Sequence, residues 1–134
     1  MPVLTTVSAP DLGLMARQAD DETPVIVSLC AAWCDTCNEF RASYERIAAA
    51  RPEMLFIWLD IEDDADICGD INVENFPTLA IYRGGRLMHF GVSLPHEGVV
   101  ARLIDEMARR SAGVVDAPGA VTELIARIQR RASG

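Results

Sequence analysis

The sequence contains no lysine, because all twelve of its basic residues are arginine. This absence excludes chemistry that depends on a lysine amine, such as Schiff-base formation or the phosphate-binding lysine of a P-loop. The arginines are outnumbered by twenty acidic residues, which leaves a net charge of −8. Binding of nucleic acid requires clustered cations, so we expect no nucleic-acid partner.

Long apolar runs are also missing. The longest, near residues 25–33, is interrupted by Ser28 and is far too short to span a membrane. The first basic residue is Arg17, so the amino-terminal segment lacks the basic region of a secretory signal. We therefore expect a cytoplasmic protein with no membrane partner. Half of the residues are hydrophobic, which is enough for one packed domain.

The hydrophobic pattern alternates between strand-like and helix-like segments. Apolar runs at residues 25–30 and 54–59 predict central strands that are covered on both faces. Residues 84–85 are two glycines between strand-like segments and predict a hairpin. A further strand is predicted at residues 3–7, and helices are predicted to begin near residues 10, 34, 65 and 95. This order predicts an α/β fold with a central mixed sheet and helices on both faces.

The carboxyl-terminal part of the chain has a different pattern. Residues 111–119 are typical of a linker, and residues 120–131 form an amphipathic segment with arginines on its polar side. We therefore predict one domain over residues 1–111. Residues 112–134 are predicted to be a linker and a carboxyl-terminal amphipathic extension.

Two cysteines, Cys34 and Cys37, lie where a predicted strand meets a predicted helix. Free N–H groups and the dipole at the start of a helix favour an anion, and so favour the thiolate form of Cys34. Cys37 lies one helical turn further on, so the two sulfurs can meet and form a disulfide. This spacing predicts Cys34 as the exposed nucleophile and Cys37 as the shielded resolving thiol. We expect no cofactor.

This segment resembles the thioredoxin family. The resemblance extends from about residue 12 to residue 110, and rests on Trp33 before Cys34, on Cys37, and on a Phe-Pro-Thr sequence with Pro77 forty residues after Cys37. It implies a thioredoxin-like fold and a thiol–disulfide oxidoreductase that exchanges disulfides with proteins. The implied partners are protein substrates with disulfides and a flavoprotein thioredoxin reductase as the electron donor.

The resemblance also implies substrate-binding residues around the cysteine pair. Trp33 would supply a flat apolar wall. Pro77 would face the pair and shield it from metal ions, while the backbone of Phe76 would hydrogen-bond an extended substrate segment as an added strand does. Gly91 and Val92 would form the opposite rim.

Two residues between the cysteines depart from the Gly-Pro that is common in the family. Asp35 places a negative charge near the thiolate, and the repulsion is on the order of 0.7–3 kcal/mol at about 6 Å. Thr36 lacks the proline ring, which makes the turn more mobile. We expect both residues to tune the reactivity of the Cys34–Cys37 pair.

The strand before the motif carries a second departure. Ser28 occupies the position of a buried aspartate in thioredoxins, and Trp58 matches the position of the lysine that often accompanies it. A serine is no carboxylate base, so deprotonation of Cys37 must rely on water or on another acidic residue, with Asp60 and Glu39 as the candidates. This departure predicts slow resolution of the mixed disulfide, and leaves the first attack unaffected.

The other cysteines, the acidic cluster and the histidines are expected to have structural rather than catalytic roles. Cys30 is expected to be a small buried apolar side chain, and Cys68 a structural thiol. The four cysteines lack the spacing of two zinc knuckles, so no metal ligand is predicted. The acidic residues between 60 and 66 are expected to form a solvated loop, since they lack the glycine and glutamate of a calcium loop. His89 and His96 are expected on the surface.

Two other functions remain open from the sequence. Cys34 and Cys37 could bind a soft metal ion through their thiolates. Alternatively, the chain could be a non-catalytic thioredoxin-fold binding module that uses its acidic surface or residues 120–131.

Overall fold

A computed structural model of the protein describes residues 23–31, 34–62, 64, 77–83, 86–92 and 96–109. The elements in chain order are β1 (Val25–Cys30), α1 (Asp35–Ala49), β2 (Leu55–Asp60), β3 (Thr78–Arg83), β4 (Arg86–Val92) and α2 (Glu97–Arg109). All six elements were predicted, although β2 is shifted by one residue from the predicted 54–59. Several predicted features lie outside the described residues: the strand at residues 3–7, the helices near residues 10 and 65, Cys68, the boundary after residue 111 and the amphipathic segment at residues 120–131.

The four strands form one mixed sheet in the order β2-β1-β3-β4. Strand β1 pairs in parallel with β2 and antiparallel with β3, and β3 pairs antiparallel with β4 around the predicted hairpin. A bulge interrupts the last pairing beside Ile81 and Tyr82. All six residues of β1 are buried, as expected for a central strand. The predicted α/β fold with a mixed sheet is confirmed.

Side chains alternate between the two faces of the sheet, and both faces are buried. One face packs on the two helices and forms the main core, which includes Ile26, Phe56, Leu79, Ile81, Phe40, Tyr44, Ile47, Val100 and Ile104. On the other face, Val27, Ile57 and Ala80 are also fully buried. This two-sided burial explains why β1 and β2 have continuous apolar sequences rather than alternating ones. Neither described helix is long and apolar enough to cross a membrane.

The two helices are joined by a charged pair at the end of α1. Arg51 donates two hydrogen bonds to the carboxylate of Asp105 in α2, at 2.8 and 2.7 Å, and a third to the carbonyl of Ile47 at 3.2 Å. The hydrogen bonds from Arg51 hold the pKa of Asp105 below its usual value. A second pair, between Arg46 and Glu97 at 2.7 Å, lies further out, with 61% and 43% of the two side chains exposed.

Replacing Asp105 with asparagine is expected to lower the free energy of unfolding by about 1 kcal/mol at pH 7. Bidentate charge-assisted bonds would be worth more if buried, but the Asp105 side chain is 39% exposed, so solvent screens the pair. Because the folded pKa is depressed, this contribution is present above the unfolded pKa of about 3.9 and is lost as the pH falls through the lower folded value. Urea unfolding of both proteins between pH 2 and pH 8 measures the difference.

The matched control is Glu97→Gln, which breaks the more exposed pair and should cost at most about 0.5 kcal/mol. Equal effects of the two substitutions, or an Asp105→Asn effect that persists unchanged at pH 2, would contradict this account of the pair.

Candidate active site

Cys34 lies at the junction between the central strand and the first helix. Its backbone is extended, with φ −88° and ψ 112°, and it is the amino-terminal cap residue of α1. The Cys34 N–H donates to the carbonyl of Ala31 at 3.0 Å, and its own carbonyl accepts from the N–H of Asn38 at 3.1 Å. The side chain is a free, partly exposed thiol. It therefore lies where the first amide groups of the helix favour a sulfur anion.

Cys37, in the first turn of α1, is fully buried and is bonded to Cys30 at the end of β1. The Cα atoms of this pair are 6.0 Å apart, which lies within the usual range for a disulfide. Cys30 is buried, as predicted, with 1% of its surface exposed. It is not the free apolar side chain expected from the sequence, because the strand-to-helix turn brings residues 30 and 37 together on the helix side of the sheet. The predicted partners Cys34 and Cys37 are three residues apart along the chain and are not bonded to each other in this state.

Ser28 and Cys30 are two residues apart on β1 and therefore point to the same face of the sheet. The Ser28 hydroxyl lies 3.6 Å from the Cys30 sulfur, and both groups are buried. Trp58 is the neighbour of Ser28 on β2, and the guanidinium of Arg41 lies 4.9 Å from the centre of its ring. The two positions at which thioredoxins often have an aspartate and a lysine are thus adjacent here, and hold a hydroxyl and an indole.

The two candidate bases lie in different surroundings. Asp60 is the neighbour of Cys30 across the β1–β2 pairing. Its carboxylate accepts a hydrogen bond from the N–H of Glu62 at 2.8 Å, and its own N–H donates to the buried Asp64 carboxylate at 2.9 Å. Glu39 lies on the exposed face of α1. The strand pairing therefore places Asp60 beside Cys30, whereas Glu39 is exposed on α1.

The same end of the sheet carries the predicted substrate-binding residues that the structure describes. Thr78 pairs with Leu29 on one side and with Val92 on the other. Pro77, directly before Thr78, is buried at that end, beyond which Cys34 follows β1. Val92 is 57% exposed and offers an apolar surface. Gly91 precedes it on the same strand, whereas Trp33 and Phe76 lie outside the described residues.

Tyr44 fixes helix α1 against the sheet below the cysteines. Its buried hydroxyl lies 2.9 Å from the carbonyl of Ile57 and 3.1 Å from that of Ile26. Burial raises the pKa of Tyr44 well above its ordinary value, so the hydroxyl stays protonated and can donate to these strand carbonyls. This contact anchors the middle of α1 to β1 and β2.

The other polar groups form no additional site in the described part of the chain. Among these residues, no group of three or more histidine, cysteine or acidic side chains is arranged to hold a metal ion. Asp35 is exposed in the first turn of α1, and Thr36 is partly exposed beside it. His96 is exposed, as predicted, whereas His89 is half-buried on β4.

Comparisons with known proteins agree with this geometry. The thioredoxin family model matches residues 15–104 of the chain. The thioredoxin-like protein CXXS1 of Oryza sativa subsp. japonica is 30% identical over 112 residues, which are 82% of each chain. The crystal structure of thioredoxin NaTrxh from Nicotiana alata has a TM-score of 0.66 at 17% identity and covers 79% of this chain and 92% of its own. A crystal structure of the complex of ferredoxin:thioredoxin reductase with thioredoxin f2 contains a similar chain, with a TM-score of 0.65 at 16% identity, over 78% of this chain and 94% of that one.

Proposed function

Because the chain belongs to the thioredoxin family, we propose that it exchanges disulfides with proteins through Cys34 and Cys37. At the general level the chain is a thiol–disulfide oxidoreductase, in agreement with its family and with its pair of bonded cysteines. The proposal assigns the first attack to Cys34 and the release of the substrate to Cys37.

In the proposed reaction, the Cys34 thiolate attacks one sulfur of a substrate disulfide. A mixed disulfide forms, and the second substrate sulfur leaves as a thiolate. The Cys37 thiolate then attacks the Cys34 sulfur, so that the mixed disulfide breaks and the substrate leaves fully reduced. The protein gains one disulfide as the substrate loses one, and an external thiol or a reductase must reduce the protein again.

The single observation that best supports this assignment is the contrast in exposure between the two cysteines. Cys34 is partly exposed at the start of α1, whereas Cys37 is fully buried one turn further on. An attacking thiol must reach a protein substrate, and a resolving thiol needs to reach only its neighbour. The exposed Val92 and the buried Pro77 at the same end of the sheet are consistent with a bound substrate segment there.

The reaction also requires an electron donor. The thioredoxin f2 structure is of a complex with ferredoxin:thioredoxin reductase, which illustrates a protein donor for this fold. For this chain we propose a flavoprotein thioredoxin reductase and a cytoplasmic location, because a reducing compartment would return Cys34 to its thiol form. Disulfide isomerisation is a second direction of the same chemistry, since it needs only attack and release at Cys34.

Reduction of insulin by the purified protein, with dithiothreitol as the electron donor, tests the proposal. The protein should accelerate the precipitation of the reduced insulin chains well above the rate with dithiothreitol alone. Cys68→Ser, which removes a thiol outside the proposed pair, serves as the control and should act like the wild type. A folded protein that gives no acceleration would contradict the proposal and favour the non-catalytic binding module.

A further inference from the structure

Three cysteines, rather than two, meet at the junction of β1 and α1. Cys37 is bonded to Cys30, while Cys34 remains a free thiol at the surface. A sulfur in a disulfide has one sulfur partner, so Cys30 and Cys34 compete for Cys37. The bonded pair is almost completely enclosed, with 1% of Cys30 and none of Cys37 exposed. An external thiol therefore has poor access to this bond.

We infer that Cys30 is a second resolving thiol, which takes the disulfide from Cys34 and returns Cys34 to its free form. The inference rests on the proposed function, because the disulfide that Cys30 receives is formed when Cys37 releases a substrate from Cys34. Cys30 acts directly on a reacting sulfur and is therefore a further catalytic residue.

The transfer is an internal exchange in which the number of disulfides does not change. The Cys30 thiolate attacks the Cys37 sulfur, the bond between Cys37 and Cys34 breaks, and a bond between Cys30 and Cys37 forms. Cys34 leaves as a thiolate at the start of the helix, where the amide groups favour a negative charge. The proton lost by Cys30 is balanced by the one that Cys34 takes up from solvent, so no oxidant is consumed.

The environment of Cys30 suits this role. Ser28 is the buried polar side chain next to it, and its hydroxyl lies 3.6 Å from the Cys30 sulfur. A hydroxyl at this position can donate a hydrogen bond to the Cys30 thiolate during the exchange. The strand also holds Cys30 in place, because its carbonyl accepts a hydrogen bond from the N–H of Ile61 at 2.9 Å.

The transfer would change what the oxidised protein can do. A protein that stores its disulfide between Cys34 and Cys37 has no free attacking thiol. A protein that stores it between Cys30 and Cys37 still presents Cys34, and can form a mixed disulfide with a second substrate. Such a form suits rearrangement of substrate disulfides, since Cys34 can attack and be displaced without net oxidation.

Disulfide mapping of the Cys68→Ser protein tests the inference, with all other cysteines intact. The reduced protein is mixed with one equivalent of oxidised glutathione, quenched with acid at successive times, alkylated and cleaved after Trp33. The bond between Cys30 and Cys37 then joins two peptides, whereas the bond between Cys34 and Cys37 closes a loop within one peptide. We expect the bond between Cys34 and Cys37 to form first. It should then convert to the bond between Cys30 and Cys37, which should reach at least a tenfold excess over the first form and leave Cys34 free to be alkylated.

Two variants of the same protein separate the possible failures. The Cys30→Ala protein should keep the bond between Cys34 and Cys37 and therefore show no alkylated Cys34. The Cys34→Ser protein should form the bond between Cys30 and Cys37 at least tenfold more slowly. If the loop form persists and Cys30 stays free although insulin is reduced, the inference is wrong and the proposed function stands. If oxidised glutathione never reacts at Cys34, the proposed function itself fails. The map of the protein with Cys30 intact decides the inference even if Cys30→Ala does not fold.

Discussion

Replacing Cys34 with serine is expected to lower the rate of insulin reduction by about 1000-fold or more. Loss of a nucleophile removes the covalent pathway as a whole, so the effect is far larger than that of a neighbouring contact. The remaining dithiol of Cys30 and Cys37 is buried, and a protein disulfide cannot reach it. Turnover measured with dithiothreitol at a fixed concentration gives the ratio directly.

Two controls accompany this measurement. Cys68→Ser removes a thiol elsewhere, and Ala42→Ser places a new hydroxyl on the exposed face of α1. Both should reduce insulin at rates close to wild type. If Cys34→Ser kept more than about a tenth of the activity while remaining folded by circular dichroism, another thiol would be the nucleophile.

Replacing Cys37 with serine should slow turnover by about 100-fold and leave the substrate attached to the protein. The neighbouring thiol has an effective concentration far above that of a dissolved thiol, so its loss forces resolution by dithiothreitol. Cys34 can still attack, so a mixed disulfide should build up to about one equivalent. Mass spectrometry after an acid quench should show the substrate bound to Cys34.

Ala42→Ser again provides the comparison, since it introduces the same hydroxyl on the same helix. The two cysteine variants also differ in kind, because Cys34→Ser should yield no mixed disulfide and Cys37→Ser should accumulate it. Rapid turnover without an adduct in Cys37→Ser would show that Cys37 is not the resolving thiol.

Most of the described fold could be predicted from the sequence because its strands are buried on both faces. The continuous apolar runs of β1 and β2 must be covered on both faces, which in a domain of this size places them in the centre of the sheet. The two glycines between β3 and β4 favour a hairpin connection. The helices followed from apolar residues such as Phe40 and Tyr44, one turn apart and facing the sheet.

The pairing of Cys30 could not be predicted with the same ease. The spacing of Cys34 and Cys37 is a local signal, since one helical turn brings them together. Contact between Cys30 and Cys37 depends instead on how the chain turns from β1 into α1. One signal was present: Cys30 lies two residues after Ser28 and so shares its face of the strand, which is the face covered by the first turn of α1.

The sequence indicated more clearly that Ser28 and Trp58 stand where thioredoxins often have an aspartate and a lysine. Their pairing across β1 and β2 makes a concerted change physically reasonable, because loss of only one partner would leave a buried charge alone. The roles of Asp35, Thr36 and the substrate-binding residues stay predictions, as does slow resolution in the absence of an aspartate at position 28.

Site-resolved alkylation of the fully reduced, native protein tests whether Cys34 is the attacking thiol. A limiting amount of iodoacetamide is added, the reaction is stopped at short times, and the labelled fraction of each cysteine is measured by mass spectrometry. Cys34 is expected to be labelled first, at least about 100-fold faster than the buried Cys30 and Cys37. Labelling of Cys30, Cys37 or Cys68 as fast as Cys34 would contradict the assignment of Cys34 as the attacking thiol.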